Sequence, residues 1–258
     1  MRPINDMDIQ AYLERIKYDG GLTPSIDTLR GLHRAHMLSV PFENLDIHIQ
    51  RPIRLEPGAI FHKIVELRRG GFCYELNGLF AFFLRDLGFQ VEMLSAGVGR
   101  RDGAFGPEFD HMALSVRLEE TWLADVGFGD SFIEPIPFQD SKPSKDPAGT
   151  FLLITQDDSR VLLKQDSDGT WQNQYRFSQQ PHELADYEGM CLHHQTSPES
   201  SFTKGRVCTL ATPSGRITLS GLKLIVTENG IRREQLLSGE EEYLAVLRRQ
   251  FGIVLPLE

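Results

Sequence analysis

A cysteine stands where a glycine turn meets the start of an apolar helix. In the segment RGGFCYELNGLFAFFLRDLGF, residues 69–89, Cys73 follows Gly70 and Gly71, which let the backbone bend tightly. The apolar residues after it recur at helical spacing up to Gly88, which is expected to end the helix. The N–H groups and dipole of a first helical turn stabilise a thiolate, so we expect a lowered pKa and a nucleophilic role for Cys73. The alternative is a buried structural cysteine.

The candidate partners of this thiol are a histidine and an aspartate on two neighbouring predicted strands. A nucleophilic thiolate needs a base that takes its proton and a third group that orients the base. Of the eight histidines, His111 begins the segment HMALSVRL, residues 111–118, whose alternation predicts a half-buried strand. The segment TWLADVGFG, residues 121–129, predicts the next strand and carries Asp125 in an apolar run, where an unpaired carboxylate would be costly.

The turn between these strands decides whether the two side chains can meet. A two-residue loop of Glu119 and Glu120 would put His111 and Asp125 on opposite faces of the hairpin. An odd loop, such as Glu119–Thr121, or a bulge puts them on the same face. The triad hypothesis therefore requires an odd loop or a bulge. Asp110 is the rival orienter of His111, although successive strand residues point to opposite faces.

Several stretches resemble the arylamine N-acetyltransferases, which use a Cys-His-Asp triad in this chain order. They are RGGFCYELNG around Cys73, DHM around His111, ADVGFG around Asp125, PFENLDI at 41–47, GVGR at 97–100 and FTKGRVCTLATPSGRITL at 202–219. The resemblance implies an α+β fold with a papain- or transglutaminase-like Cys-His-Asp core. It divides the chain into a helical bundle at 1–88 carrying Cys73, a β-barrel at 89–185 carrying His111 and Asp125, and an α/β lid at 186–258.

The same resemblance implies the substrates and the residues that would meet them. Acetyl-CoA is the expected donor, small aromatic amines or hydrazines are the expected acceptors, and no metal is expected. The residues expected to line the substrate and CoA pocket are Phe42, Val98, Gly127, Phe128, Gly129 and Phe202. Lys204 and Arg206 are candidates to meet the CoA phosphates. Asp110 departs from the small neutral residue that many members carry before the triad histidine.

Composition bounds the class of protein. With 258 residues and 40% hydrophobic content, the chain can bury a large core. A net charge of −9 argues against a nucleic-acid or anionic-membrane partner. Three widely spaced cysteines fit a reducing compartment, and neither a signal segment nor a membrane span is evident, so we expect a cytoplasmic protein. A homo-oligomer is compatible with the sequence.

The hydrophobic pattern changes from helical to strand-like near residue 91. Helices are expected to start at Asp6, at Thr23 with Pro24, at Pro57, and late in the chain at a capping box of Ser238 and Glu241. Strands are expected near 91–98, 111–118, 121–128, 151–155, 160–164, 170–177, 205–210, 215–219 and 223–227, with a loop at 139–149.

A cluster of metal-binding residue types occurs once outside the triad. Cys191, His193 and His194 lie within four residues, too close in sequence to converge on one ion without a distorted backbone. Cys208 alternates with apolar residues in a predicted strand and is expected in the core. The glycines of AGVGR and DVGFG do not lead into a helix, so they are not a dinucleotide-binding motif.

The expected activity is acetyl transfer to the nitrogen of arylamines, arylhydrazines or arylhydroxylamines through an acetyl-cysteine, with ping-pong kinetics. One alternative is an amide synthase of the same family that closes a macrocycle. Another is a papain- or transglutaminase-like hydrolase with water or lysine as acceptor. A non-catalytic binding module is the third, and the intact triad argues against it.

Overall fold

N-terminal helices, an antiparallel barrel and a C-terminal sheet with helices make up the fold. The computed structural model describes residues 6–139 and 142–255. The helices are Asp6–Ile16 (α1), Ile26–Ser39 (α2), Leu45–His48 (α3), Pro57–Phe61 (α4), Cys73–Asp86 (α5), Glu188–Thr196 (α6), Ser201–Lys204 (α7) and Glu240–Val246 (α8). The π-helical turns His62–Glu66 and Leu247–Phe251 extend α4 and α8, and the 3₁₀ turn Leu184–Tyr187 precedes α6.

Helix α5 lies at the centre of the N-terminal part, because it is apolar around most of its circumference. The Tyr12 ring of α1 packs 4.3 Å from the ring of Phe83. The prediction that Pro57 opens a helix is confirmed, with Pro57 in the first position of α4. Helix α2 begins later than predicted, because the Ser25 hydroxyl caps it by accepting the Thr28 N–H at 3.2 Å. The cap predicted for the Asp6 side chain lies outside the described residues.

Within residues 6–139 and 142–255, the strands form two antiparallel sheets. In chain order they are Phe42–Glu43 (β1), Gln90–Val98 (β2), His111–Arg117 (β3), Thr121–Ala124 (β4), Ile136–Pro137 (β5), Ser144–Asp146 (β6), Gly149–Gln156 (β7), Ser159–Gln165 (β8), Trp171–His182 (β9), Val207–Thr212 (β10), Gly215–Ser220 (β11), Lys223–Glu228 (β12) and Ile231–Leu236 (β13). Eight strands in the order β5-β4-β3-β2-β9-β8-β7-β6 form a nearly closed barrel. The other sheet has the order β1-β10-β11-β12-β13.

The β3–β4 hairpin has the odd loop that the triad hypothesis requires. Arg117 pairs with Thr121 and Leu114 with Ala124, which leaves a loop of residues 118–120. This loop is three residues long, as an odd loop demands, but starts one residue earlier than the predicted Glu119–Thr121. Continuing the register places Asp125 opposite Ala113, on the face that carries His111.

Strand β3 is buried on both faces, which corrects the half-buried prediction. Met112 and Leu114 pack with the helices, whereas Ala113 packs with the barrel interior. Strand β4 ends at Ala124, so Asp125 follows the last paired residue instead of lying within a strand that reaches residue 128. The carboxylate is thereby placed where the chain leaves the sheet.

Three other local predictions need correction. The edge strand β13 was not expected, and β6 lies inside the predicted loop 139–149. At the start of α8 the Ser238 hydroxyl donates to Glu242 at 2.8 Å, so Glu242 and not Glu241 is its partner.

In the part of the chain that the structure describes, three groups of buried apolar residues underlie the fold. One joins the helices to a face of β2 and β3, one fills the barrel, and one lies between the C-terminal sheet and α8. The division at 1–88, 89–185 and 186–258 stays a prediction. Throughout residues 6–139 and 142–255, every helix is too short or too polar to cross a bilayer.

Candidate active site

Cys73 occupies the first position of α5, where two glycines allow close approach of neighbouring chain segments. A Cβ on Gly70 would lie 1.9 Å from the Pro41 carbonyl oxygen, and one on Gly71 would lie 2.8 Å from Cβ of Glu75. Both glycines have ordinary negative φ angles, so crowding and not a left-handed turn accounts for them. The Glu75 carboxylate accepts the Phe72 N–H at 3.1 Å and so caps the start of the helix, just before Cys73.

His111 and Asp125 meet in a buried hydrogen bond. Nε2 of His111 lies 2.8 Å from Oδ2 of Asp125, and Asp125 has no exposed surface. Burial alone would raise the pKa of Asp125, but the His111 ring, the Asn77 amide and the Gly127 N–H hold it below its usual range. The ionised carboxylate therefore fixes the tautomer of His111 with the proton on Nε2, which leaves the lone pair on Nδ1 to take a proton.

Asn77 connects helix α5 to strand β3 and to the chain after β4, and it was missed by the sequence reasoning. Its Nδ2 donates to the Met112 carbonyl at 2.6 Å and to Oδ1 of Asp125 at 2.8 Å, and its Oδ1 accepts the Val126 N–H at 2.9 Å. Asn77 follows Cys73 by four residues, one turn of α5. That spacing, together with a polar residue on an otherwise apolar helix, was the available signal.

The thiol of Cys73 is buried beside this network. A Cβ on Gly127 would lie 2.9 Å from Cα of Cys73, so the chain after Asp125 runs directly against the cysteine. Burial, and then the charge of Asp125, raise the pKa of the Cys73 thiol, while a hydrogen bond from the Met112 backbone lowers it. The expectation of a lowered pKa is therefore wrong for the resting thiol, because burial outweighs the helix start. A thiolate here depends on a compensating positive charge.

Of the predicted pocket residues, Gly127 lies against Cys73 and Phe128 lies against His111. The ring of Phe128 is 5.1 Å from the ring of His111, and Phe202 is 6.1 Å from Phe42. Gly129 has a φ of +90°, and a Cβ there would lie 3.5 Å from the Phe42 ring. Val98 stands on the adjacent strand β2. An unpredicted neighbour, Tyr175 of β9, places its ring 5.0 Å from His111. Aromatic rings therefore flank His111.

Asp110 points away from the His111–Asp125 pair. Its Oδ1 lies 3.4 Å from Nε2 of His194, and its Oδ2 accepts the Val98 N–H at 3.2 Å. The rival assignment of Asp110 as the residue that orients His111 is not supported by this geometry. The His194 ring also packs 5.1 Å from Phe202, so the pair connects the start of β3 to helix α6.

The other candidates from the sequence have structural partners. Arg206 makes a two-point ion pair with Glu240, at 2.6 and 2.8 Å, and Lys204 donates to the Glu199 carbonyl at 3.1 Å. Cys208 is buried in the C-terminal core. Within the described ranges, no three His, Cys, Asp or Glu side chains are arranged to hold a metal ion, and this includes Cys191, His193 and His194.

Comparison with known proteins places this geometry in a family. A sequence profile described as N-acetyltransferase matches residues 25–258. The arylamine N-acetyltransferase of Mycolicibacterium smegmatis is 35% identical over 256 residues, covering 96% of this chain and 93% of the relative. The chain belongs to the arylamine N-acetyltransferase family.

Solved structures of arylamine N-acetyltransferases share the whole fold. The enzyme from Salmonella typhimurium superposes with a TM-score of 0.91 at 30% identity, covering 95% of this chain and 91% of that one. The Mycobacterium marinum enzyme in complex with CoA gives a TM-score of 0.89 at 30% identity, covering 95% of this chain and 92% of that one. The chain is an acetyltransferase of a family that uses acetyl-CoA.

Proposed function

We propose that this arylamine N-acetyltransferase moves an acetyl group from acetyl-CoA to the nitrogen of an arylamine, arylhydrazine or arylhydroxylamine, with Cys73 as the carrier. The observation that carries the proposal is the buried 2.8 Å bond between His111 and Asp125, made beside the helix that begins with Cys73. A nucleophile, a base and an orienting carboxylate in this order can perform acyl transfer in two displacements.

In the first displacement, Nδ1 of His111 takes the thiol proton of Cys73, and the sulfur attacks the thioester carbonyl of acetyl-CoA. The bond from the acetyl carbon to the CoA sulfur breaks, and the imidazolium returns its proton to that sulfur. Asp125 stabilises the imidazolium while it exists, because its carboxylate accepts the Nε2–H. The raised pKa of the Cys73 thiol makes this step a coupled proton transfer, since the thiolate depends on the imidazolium.

In the second displacement, the acceptor nitrogen attacks the acetyl-cysteine. His111 takes a proton from the nitrogen, the carbon–sulfur bond to Cys73 breaks, and the imidazolium gives that proton to the departing Cys73 thiolate. We propose that the planar acceptor lies among Phe42, Val98, Gly127, Phe128, Gly129 and Phe202. Aromatic walls favour a flat ring and restrict the access of water to the thioester.

The test is steady-state kinetics with acetyl-CoA and an arylamine such as 4-methoxyaniline. Double displacement predicts parallel double-reciprocal lines when one substrate is varied at several concentrations of the other. Intersecting lines would contradict a free acetyl-enzyme. A hydrolase of the papain or transglutaminase type would instead release acyl groups from peptide or glutamine donors, so these donors are included as the comparison.

A further inference from the structure

The segment after β4 carries several of the proposed site residues on a short loop. Residues 125–133 begin with Asp125, pass through Gly127 and Phe128, and end at Ile133. Such a loop needs a fixed path if the carboxylate and the ring are to keep their positions relative to Cys73. A side chain of a helix that precedes the loop by almost a hundred residues contacts both ends of the loop.

That side chain is His33 of α2. Its Nδ1 lies 2.8 Å from the Ile133 carbonyl oxygen, and its Nε2 accepts the Asp125 N–H at 3.1 Å. The imidazole also stacks on Phe132, with ring centres 5.5 Å apart and planes 17° apart. A carbonyl only accepts and an amide N–H only donates, so the proton of the ring must be on Nδ1. His33 has no exposed surface, and both of its nitrogens are used.

We propose that His33 is a positioning residue that closes the loop 125–133 and so aligns Asp125 with His111 and Phe128 with Cys73. The inference rests on the proposed function, because it assigns His33 a part in the same site. His33 acts through the backbone of Asp125 and does not touch the reacting atoms.

The protonation state of His33 fits this part. Burial lowers the pKa of His33, so the ring stays neutral at physiological pH. A proton on Nε2 of His33 would face the Asp125 N–H, and the hydrogen bond between them would break.

Other contacts hold the loop after His33 is lost. Asp146 accepts the Ile133 N–H at 3.0 Å, and Asn77 accepts the Val126 N–H at 2.9 Å. Removing the imidazole should therefore displace the ends of the loop instead of releasing the whole segment. We expect a displacement of this kind to lower the rate more than the stability, because the reaction depends on the alignment of its groups.

The chain offers a matched control one turn further along α2. His36 is also fully buried, and its ring centre lies 5.7 Å from that of Phe80, compared with 5.9 Å for His33. The hydrogen bond of His36 goes to the Tyr12 hydroxyl, at 2.6 Å, and not to the loop. His33→Phe and His36→Phe thus each remove a buried imidazole from the same helix, and only the first removes contacts with the loop.

The experiment measures kcat/KM against pH and the thermal midpoint for both variants. His33→Phe is expected to lose roughly 10- to 100-fold in kcat/KM at a temperature where it is folded, and to shift the pH profile. His36→Phe should keep the wild-type profile. If His33→Phe fails to fold, His33→Gln is measured in its place. The amide oxygen of the glutamine can still accept the Asp125 N–H, so this variant should recover part of the rate.

A double variant separates positioning from general destabilisation. If His33 acts through Asp125, adding His33→Phe to Asp125→Asn should cost little further rate, since coupled residues are not additive. The same loss in both backgrounds, or equal losses in His33→Phe and His36→Phe, would overturn the assignment of His33. Neither result bears on the proposed function, which is tested separately by double-reciprocal kinetics and by acetylation of Cys73 in the wild-type protein.

Discussion

Cys73 combines a helix start with nearly complete burial, and the two act on its thiol in opposite directions. Burial, followed by the charge of Asp125, raises the pKa of Cys73, whereas an imidazolium at His111 favours the thiolate. His111→Gln should therefore move the pH midpoint of Cys73 alkylation by iodoacetamide upwards. Peptide mass spectrometry monitors the reaction, with the buried Cys191 and Cys208 as internal controls. An unchanged midpoint would show that His111 does not share the proton of Cys73.

Phe128 is expected to control what reaches the acetyl-cysteine. Its ring packs against both His111 and Tyr175, at 5.1 Å from each. Phe128→Ala should raise the acceptor KM and speed acetyl-CoA hydrolysis in the absence of amine, while the alkylation rate of Cys73 stays nearly constant. Measuring the release of free CoA with and without an arylamine gives the partition of the acetyl group between amine and water. A variant with the wild-type ratio would assign Phe128 to the core alone.

Residue types and local spacing made Cys73, His111 and Asp125 candidates, because each stands in a recognisable local pattern, and the resemblance to the family joined them into one triad. The environment of the thiol was not predictable, since burial depends on chain segments distant in sequence. Asn77 had a detectable signal in its spacing from Cys73. His33 had none, because its partners lie 92 and 100 residues away.

The three-residue loop of the β3–β4 hairpin determines whether Asp125 lies on the same face of the hairpin as His111. Deleting Glu119 leaves an even loop, which turns Asp125 to the face opposite His111 unless a bulge forms. We expect this deletion to lower kcat/KM by roughly 1,000-fold or more, in the range seen when a triad residue is lost. Inserting two glycines between Glu119 and Glu120 keeps the parity and should retain most of the activity. Comparable activity in both variants would contradict the register argument.

Elements with strong apolar periodicity were predicted well, and polar edges were not. Helices α4 and α5 and the long barrel strands follow patterns that burial imposes on the sequence. Strand β13 has the sequence IRREQL and is exposed along its whole length, so no alternation marks it. Strand β6 is three residues long, and a stretch of that length carries too little pattern to detect.

At the scale of the whole molecule, a buried ion cluster joins the segments around the site. Lys63 lies 2.8 Å from Glu75 and 3.0 Å from Asp46, and Arg69 binds Glu43 and Asp46. Burial raises the pKa of Glu75 from 4.5 to about 7, although Lys63 opposes the shift. The cluster therefore holds a carboxyl that changes its charge near neutral pH.

The sign of the resulting pH dependence follows from the direction of the Glu75 shift. Between pH 4.5 and about 7 the folded state retains a proton that the unfolded state has lost. This group's contribution to the free energy of unfolding is therefore complete below pH 4.5 and falls as the pH rises to about 7, by an amount on the order of 3 kcal/mol. Urea unfolding across this range should show a smaller decline for Glu75→Gln than for wild type. The exposed Glu108→Gln is the control, and equal declines for wild type and Glu75→Gln would contradict the assignment.

The central claim is that Cys73 carries the acetyl group between the two substrates, and trapping that intermediate tests it most directly. Wild-type protein mixed with acetyl-CoA in the absence of amine, quenched in acid and digested, should yield the Cys73 peptide heavier by one acetyl group. Adding an arylamine before the quench should remove the mass and produce the acetylated amine in equal amount. Cys73→Ser should show no such adduct and no transfer, because the hydroxyl is far harder to deprotonate. An acetyl group on Cys191 or Cys208 instead, or transfer by Cys73→Ser within about tenfold of wild type, would contradict the account.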